Sequence, residues 1–349
     1  MLSALIHAHT LSFLSSFPQP NPRLCRPSMA SSSLVRIAVV GDVHDDWDLG
    51  EDTKALQLMK PDLVLFTGDF GNENVELVQN VAALNFPKAV ILGNHDSWST
   101  QQFSSKKKDR VQLQLECLGQ DHVGYKRLDF PLLKLSVVGG RPFSCGGQQI
   151  FRKRLLSTRY GVQDMDGSAK RIYDAALGTP EDHLVILLAH NGPTGLGSEL
   201  NDICGKDWVF GGGDHGDLDL AQAISHLKET TTFSIPLVVF GHMHKELAYG
   251  NGLRKMIVVG TDDIIYLNGA IVPRVKRPIN EQTAYRCSVD TETSLQASNS
   301  NGTKRAFTLV EILNGHVDKI SESWVSVVGN ETTLEEEYIL FKSNGQSSL

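Results

Sequence analysis

A run of apolar, largely β-branched residues ends in a polar motif near the beginning of the chain: residues 35–44 read VRIAVVGDVH. The apolar part predicts a buried strand over Val35–Val40, because a strand covered on both faces needs apolar side chains in both directions. The motif places Asp42 and His44 two positions apart, so that both side chains leave an extended segment on the same side. The stretch therefore predicts a buried strand whose end carries a carboxylate and an imidazole.

The same arrangement recurs along the chain. Strands predicted at Leu63–Thr67 and Ala89–Leu92 alternate with helices predicted at Asp52–Lys60 and Val75–Leu84, and this alternation indicates βαβ units with a parallel sheet. Polar motifs follow four further apolar runs, and they are Gly68-Asp69, Gly93-Asn94-His95-Asp96, His190 after Leu184–Ala189, and Gly241-His242-Met243-His244 after Pro236–Phe240. Because sites in such sheets form where the carboxyl ends of the strands emerge, we expect all five motifs to meet.

The second half of the chain is richer in predicted strands. They lie at Leu132–Val138, Met256–Val259, Ile264–Leu267, Ala306–Leu313 and Ile320–Val328, and Leu313-Asn314-Gly315 is typical of a hairpin turn. Two sheets packed face to face, with helices outside, accommodate this number of strands. The predicted fold class is therefore α/β, a sandwich of two mixed sheets flanked by helices.

Three segments resemble insertions into a domain predicted over residues 34–330. Phe143–Pro180 is polar and includes a predicted helix at Ala169–Leu177. Asn191–Asp217 is Gly-rich and is interpreted as a flexible lid or a plain surface loop. Pro278–Lys304 is rich in Ser, Thr and Asn, which predicts a flexible loop between two strands. The polar residues 331–349 predict a fraying tail.

The first 33 residues contain no acidic residue, eight Ser, and only Arg23 and Arg26 as strong positive charges. This composition is typical of an organelle transit peptide rather than a secretory signal, whose apolar core would be longer. The high Ser content favours a plastid, with a mitochondrion as the alternative. A start at Met29 is a second interpretation of the same residues.

Composition narrows the possible partners. The 349 residues are 41% hydrophobic and carry a net charge of −7 from 33 basic and 40 acidic side chains. No apolar run reaches the roughly 18 residues that a membrane span needs. Lys106-Lys107-Lys108 is the densest basic cluster, and we interpret it as a solvated helix face. Neither a membrane nor a nucleic acid is therefore expected as a partner.

Each polar motif also has an ordinary structural explanation. Asp42 and His44 could lie in a surface loop, Asp69 could cap a helix, and Asn94-His95-Asp96 could be a turn. Together, however, the motifs supply a complete ligand set for two ions that share one carboxylate, consisting of Asp42, His44, Asp69, Asn94, His190, His242 and His244. His95 could then face the substrate, with Asp96 holding its tautomer, and these two are the predicted catalytic residues.

The ordered motifs D-x-H, G-D, G-N-H-D/E, H and G-H-x-H resemble those of the calcineurin-like metallophosphoesterase superfamily, over about Arg36 to Val328. The resemblance implies that Asp42, His44, Asp69 and His244 hold one divalent ion, and that Asp69, Asn94, His190 and His242 hold the other. The ions would be Mn, Fe, Zn or Mg. They would share a hydroxide that attacks the phosphorus of a small phosphorylated substrate.

Several departures from known branches are visible. The run after Gly68-Asp69 lacks the continuation found in protein Ser/Thr phosphatases. Asn72 stands where purple acid phosphatases have Tyr, and Asn191 where cyclic-nucleotide enzymes have a second His. Residues 189–197, 204–208 and 213–217 are similar to a branch of plants and cyanobacteria. Two alternatives remain: a scaffold that binds a protein partner, although such relatives tend to lose ligand histidines, and a nuclease, although no basic groove is evident.

Overall fold

Two β-sheets face each other in the computed structural model, which describes residues 33–277 and 302–343. The strands are β1 (Leu34–Val40), β2 (Leu63–Phe66), β3 (Lys88–Val90), β4 (Arg127–Phe130), β5 (Leu135–Gly139), β6 (Leu184–Leu188), β7 (Leu237–Phe240), β8 (Ile257–Val259), β9 (Ile265–Asn268), β10 (Val275–Lys276), β11 (Thr303–Leu313), β12 (His316–Val328) and β13 (Glu331–Lys342). The helices are α1 (Leu49–Met59), α2 (Val75–Ala82), α3 (Arg110–Leu118), α4 (Lys153–Tyr160), α5 (Met165–Ala176) and α6 (Leu218–Thr230).

Both sheets are mixed. The first has the order β13-β12-β11-β1-β2-β3, with β10 also paired to β11, and the second has the order β4-β5-β6-β7-β9-β8. The pairs β1–β2 and β2–β3 are parallel, as are β5–β6, β6–β7 and β7–β9, whereas β1–β11, β11–β12, β12–β13, β4–β5 and β8–β9 are antiparallel. Each sheet therefore contains a run of parallel strands, which lies at one edge of the first sheet and in the middle of the second, and the polar motifs follow strands of these two runs.

Alternate residues of the two sheets form the layer between them. Ile37 and Val39 of β1 lie in one buried apolar cluster with Val137 of β5 and Ile186 of β6. Residues of the opposite parity, such as Ala38 of β1, belong to a second cluster that also contains apolar residues of the helices. Because both faces of the central strands are covered, their sequences are continuously apolar, as the buried-strand pattern requires.

Helices cover the outer faces of the sandwich. α1 contacts β12 and β13, while α5 contacts β5 and packs along α6. The side chain of Asp48 caps α1 by accepting the N–H of Glu51, and Asn74 caps α2 by accepting that of Leu77. The predicted α/β sandwich with flanking helices is confirmed. The hairpin prediction is confirmed as well, since Asn314 and Gly315 both have positive φ between β11 and β12.

Three local predictions are wrong. Glu331–Lys342 do not fray, since they form β13, an edge strand paired along its length with β12. An edge strand is held by its backbone and exposes many side chains, so a polar composition does not exclude it. Lys106–Lys108 lie in bends before α3 rather than on a helix face. The strand predicted at Leu132–Val138 begins only at Leu135, after a short 3₁₀ turn at Pro131–Leu133.

The remaining predictions fall partly outside the described residues. The predicted transit peptide lies outside the described residues except for Ser33. The predicted loop 278–304 lies outside them except for residues 302–304, and Thr303 and Lys304 begin β11. None of the helices described here is both long and apolar enough to cross a membrane.

Candidate metal centre

Five loops converge at the carboxyl ends of the central strands, three from the first sheet after β1, β2 and β3, and two from the second after β6 and β7. Two glycines permit this close approach. A Cβ on Gly93 would lie 2.3 Å from Asp69 Oδ1, and one on Gly241 would lie 2.2 Å from Asp42 Oδ1. The prediction that these motifs meet is therefore confirmed by their position, although they come from two different sheets.

The backbone at the site is strained. Asp42, His44, Asp69 and His242 all have positive φ, at 40°, 43°, 52° and 68°. Non-glycine residues adopt this region at a cost of order 1–3 kcal/mol each, and such residues concentrate at functional sites. The strained backbone conformations are therefore consistent with loops whose geometry is set by the positions that these side chains must occupy.

His190 is completely buried, and one of its ring nitrogens faces two oxygen acceptors. Its Nδ1 donates to the carbonyl oxygen of Thr67 at 2.7 Å, so that Nε2 is the nitrogen that faces the site. This Nε2 lies 2.9 Å from Asn94 Oδ1 and 3.5 Å from Asp69 Oδ1. Three atoms with lone pairs can lie this close only with a positive charge between them, either a proton on Nε2 or a bound cation.

A second group of ligand atoms surrounds Asp42. The Nε2 atoms of His44 and His244 are 3.0 Å apart, and Asp42 Oδ2 lies 3.5 Å from His244 Nε2 and 3.9 Å from His44 Nε2. Asp42 also accepts the backbone N–H of His242 at 3.0 Å, so its carboxylate is fixed from behind. Both groups of side chains are compact enough to hold an ion.

Asp69 lies between the two groups and presents one oxygen to each. Its Oδ1 faces His190 Nε2 at 3.5 Å, and its Oδ2 faces His44 Nε2 at 3.9 Å. Oδ1 also accepts the backbone N–H of His95 at 2.8 Å, which fixes the orientation of the carboxylate. This is the geometry expected of a carboxylate that bridges two ions.

The charges of the site are interdependent. Burial opposes ionisation of Asp69, but His190 outweighs it and holds the pKa of this carboxyl well below its usual range. Burial would likewise lower the pKa of His190, yet Asp69 raises it to about 10. Burial and the charge of His190 lower the pKa of His242 to about 3, so this ring is neutral, as a ligand must be. The ionised carboxylate of Asp69 is therefore stabilised by positive charge in the site, which a protonated His190 or a bound cation can supply.

The predicted role of Asp96 is wrong. Its carboxylate accepts the backbone N–H groups of Asp69, Phe70 and Gly93 at 2.9, 3.0 and 2.8 Å and makes no hydrogen bond to His95. It faces inward from the 3₁₀ turn His95–Ser97 and ties the loop after β2 to the loop after β3. Asp96 is therefore a structural residue beneath the site.

Asn72 takes the place that was predicted for Asp96. Its Oδ1 lies 2.7 Å from Nδ1 of His95. The ring of Trp98 stacks on the other side of the same imidazole, with centroids 4.6 Å apart and planes at 7°. Trp98 is three residues after His95 on a 3₁₀ turn, a spacing that brings side chains into register and could have indicated the contact. Asn72 gave no such signal, because it lies in a different loop.

A family model described as calcineurin-like phosphoesterase matches residues 35–246. The chain belongs to this family. The match spans every predicted ligand residue from Asp42 to His244, and the strands from β8 onward lie beyond it. The family assignment confirms the resemblance seen in the sequence motifs. Comparison with curated protein sequences finds no match.

Three solved structures similar to this phosphoesterase-family chain are phosphatases or related proteins. A purple acid phosphatase from yellow lupin (Lupinus luteus) seeds is 12% identical, with a TM-score of 0.43 over 88% of this chain and 54% of the other. The chain thus spans about half the length of the lupin enzyme. A dimetal phosphatase from Danio rerio is 9% identical, with a TM-score of 0.39 over 88% of this chain and 99% of the other. PhoD is 9% identical, with a TM-score of 0.41 over 90% of this chain and 73% of the other.

A cavity of about 380 Å³ opens over the ligands of this family member and includes His95 in its lining. The Gly-rich segment 191–217, predicted as a lid or a surface loop, provides one wall through Asp207, Trp208 and His215. His215 stacks against His242, with ring centroids 5.8 Å apart. Neither His215 nor Trp208 follows a strand, so no motif in the sequence marks them as site residues.

Proposed function

We propose that the chain is a metal-dependent phosphoesterase that holds two divalent cations between its two sheets. The position of Asp69 carries this proposal, because one oxygen faces each of two groups of nitrogen and oxygen ligands. The first ion would be held by Asp42, His44, Asp69 and His244, and the second by Asp69, Asn94, His190 and His242. The substrate class that the proposal names is a small phosphoester, which would enter the cavity of about 380 Å³ above these residues.

The donor set fits such ions. It consists of imidazole nitrogens, carboxylates and one amide oxygen, a mixture suited to Mn, Fe or Zn, with Mg as the harder alternative. When bound, two divalent cations activate water for attack and offset negative charge on a phosphoryl oxygen. The protein contributes fixed ligands, because Asp42, Asp69 and His190 are all held by hydrogen bonds from or to the backbone.

His95 is the group of the chain that we assign to the substrate. Asn72 accepts a hydrogen bond from Nδ1–H, which leaves Nε2 of this half-exposed ring for contact with the reacting ester. Trp98 holds the plane of the ring. When both ring nitrogens carry a proton, the ring can hold its Nε2 proton at the phosphate or transfer it to the leaving oxygen and so return to the neutral form, a contribution typical of a positioned histidine.

The proposal is tested on purified protein supplied in turn with Mn, Fe, Zn and Mg. Bound metal is counted by elemental analysis, and hydrolysis of a panel of phosphomonoesters and phosphodiesters is measured for each preparation. Two ions per chain together with metal-dependent release of phosphate or alcohol support the proposal. A preparation that binds two ions and hydrolyses no ester in the panel would instead favour the non-catalytic scaffold.

A further inference from the structure

A second cavity, of about 570 Å³, adjoins the first. The two cavities share Cys145, Trp208 and His215 as a common wall, and the second contains none of the seven metal ligands. A molecule whose phosphate lies over Asp69 can therefore extend past Trp208 into a space in which no ion is expected.

The walls of this second cavity are fixed. The buried guanidinium of Arg254 donates to the carbonyl oxygens of Asp202 and Gly205 at 2.8 and 2.6 Å and pairs with Asp207 at 3.2 Å. Asp207 in turn accepts the N–H of Ala248 at 2.7 Å. Trp208 follows directly on this anchored segment, so its position next to the metal centre is set by buried contacts.

Arg152 fixes the opposite wall. Its Nε donates to the carbonyl oxygen of Ser97 at 2.7 Å, it also bonds to the carbonyl oxygen of Trp98, and its guanidinium lies 4.2 Å above the ring of Phe151. These bonds connect the cavity to the turn that carries His95.

The lining of the second cavity combines aromatic and amide groups. Phe151 and Trp208 supply rings, and Trp208 keeps 49% of its surface exposed. Gln148 and Gln149 supply donors and acceptors, and Lys206 supplies a positive charge. Among the described residues that line this space none is acidic. The lining is suited to a planar, neutral or anionic group with polar edges.

We propose that this cavity is the leaving-group subsite, and that Trp208 selects phosphoesters whose leaving group is aromatic or heteroaromatic. The proposal rests on the phosphoesterase function proposed above and adds the class of substrate. Trp208 lies where the two cavities meet, so a flat ring that extends from the metal centre into the second cavity passes beside it. Stacking on an aromatic side chain is a favourable way to hold such a ring, whatever its substituents.

The first test measures binding rather than turnover. Protein loaded with Mn²⁺ is titrated calorimetrically with phenylphosphonate and with methylphosphonate, which share the phosphonate but differ in the ring. Wild type is expected to bind phenylphosphonate about tenfold more tightly, which corresponds to about 1.4 kcal/mol of stacking. Trp208→Ala should lose this preference and Trp208→Phe should keep most of it. Equal binding of the two ligands by wild type would overturn the subsite.

The matched control is Phe210→Ala. Phe210 is fully exposed in the same segment and does not line either cavity, so its removal should leave the preference unchanged. If Phe210→Ala and Trp208→Ala reduced the preference equally, a general disturbance of the segment would explain the effect, and the assignment of Trp208 would be wrong.

The second test measures kinetics with phenyl phosphate and glycerol 1-phosphate. In Trp208→Ala, KM for phenyl phosphate should rise about tenfold more than KM for glycerol 1-phosphate, with kcat for phenyl phosphate nearly constant. Equal losses for both substrates would overturn the subsite and leave the phosphoesterase proposal intact. If wild type hydrolysed neither ester but still preferred phenylphosphonate, the phosphoesterase proposal and the leaving-group role would fail together, and only an aromatic binding site beside Trp208 would stand.

Discussion

Asn72 accepts a hydrogen bond from His95: its Oδ1 lies 2.7 Å from Nδ1 of the ring. A neutral imidazole carries one proton, so placing it on Nδ1 directs the lone pair of Nε2 toward the cavity. The hydrogen bond therefore determines which nitrogen of His95 can meet a substrate. Neither residue is part of the ligand set, and the pair can be altered without removing a ligand.

Asn72→Leu is expected to lower kcat about tenfold with two ions still bound, because the acceptor that fixes the tautomer is lost. Asn72→Asp should keep most of the activity and shift the pH profile, because a carboxylate accepts the same proton and adds charge. His95→Ala should cost about 10² or more in kcat. The double variant Asn72→Leu/His95→Ala should be no slower than His95→Ala alone. Additive losses would show that Asn72 does not act through His95.

Asp69→Ala is expected to abolish hydrolysis and to reduce bound metal, because two cations would lose the carboxylate that lies between them. Metal content is measured by elemental analysis and folding by circular dichroism. Asp182→Ala is the matched control, since Asp182 is exposed and pairs only with Lys134. A variant that kept both ions and lost only a few-fold in rate would contradict the bridging role.

The convergence of the seven predicted ligand residues could be predicted from the sequence because each motif follows an apolar strand. Asp42 after β1 and His242 after β7 needed only the rule that the carboxyl ends of central strands meet. The role of Asp96 could not be predicted in this way. Adjacent in sequence to His95, it turns into the protein and binds three backbone N–H groups, while Asn72 reaches His95 from a separate loop.

The residues that line the cavities could not be predicted from the sequence either. Trp208 lies in a Gly-rich segment without periodicity, and its position depends on Arg254, which is 46 residues away. The edge strand β13 was missed for another reason. Its residues are polar and mostly exposed, and only its pairing with β12 makes it a strand. Long-range contacts of this kind have no local pattern that composition or periodicity can detect.

Residues 1–33 are expected to direct a fused reporter to plastids and to be absent from the mature protein, since they combine many Ser and two Arg with no acid. Localisation is followed by microscopy and the mature end by N-terminal sequencing. Replacing Arg23 and Arg26 by Glu is the control and should abolish import. A reporter that stayed in the cytosol, or reached mitochondria alone, would refute the plastid assignment.

His122 should make the protein less stable in acid. It is buried, its Nε2 has no hydrogen-bond partner among the described atoms, and burial together with Lys126 and Arg159 lowers its pKa to about 3. In the unfolded chain a histidine has a pKa of about 6.5. Between these values only the unfolded state takes up the proton, so the free energy of unfolding falls as the pH falls through this window.

The size of the effect follows from the two pKa values. Between pH 7 and pH 5, wild type should lose about 2 kcal/mol more free energy of unfolding than His122→Phe, which cannot take up the proton. Denaturant unfolding at the two pH values measures this difference, and the shared titration of the metal ligands cancels in the comparison. His226→Phe, the same substitution at an exposed position, is the control for the exchange of an imidazole for a phenyl ring. Identical losses in wild type and His122→Phe would show that His122 is not the group responsible.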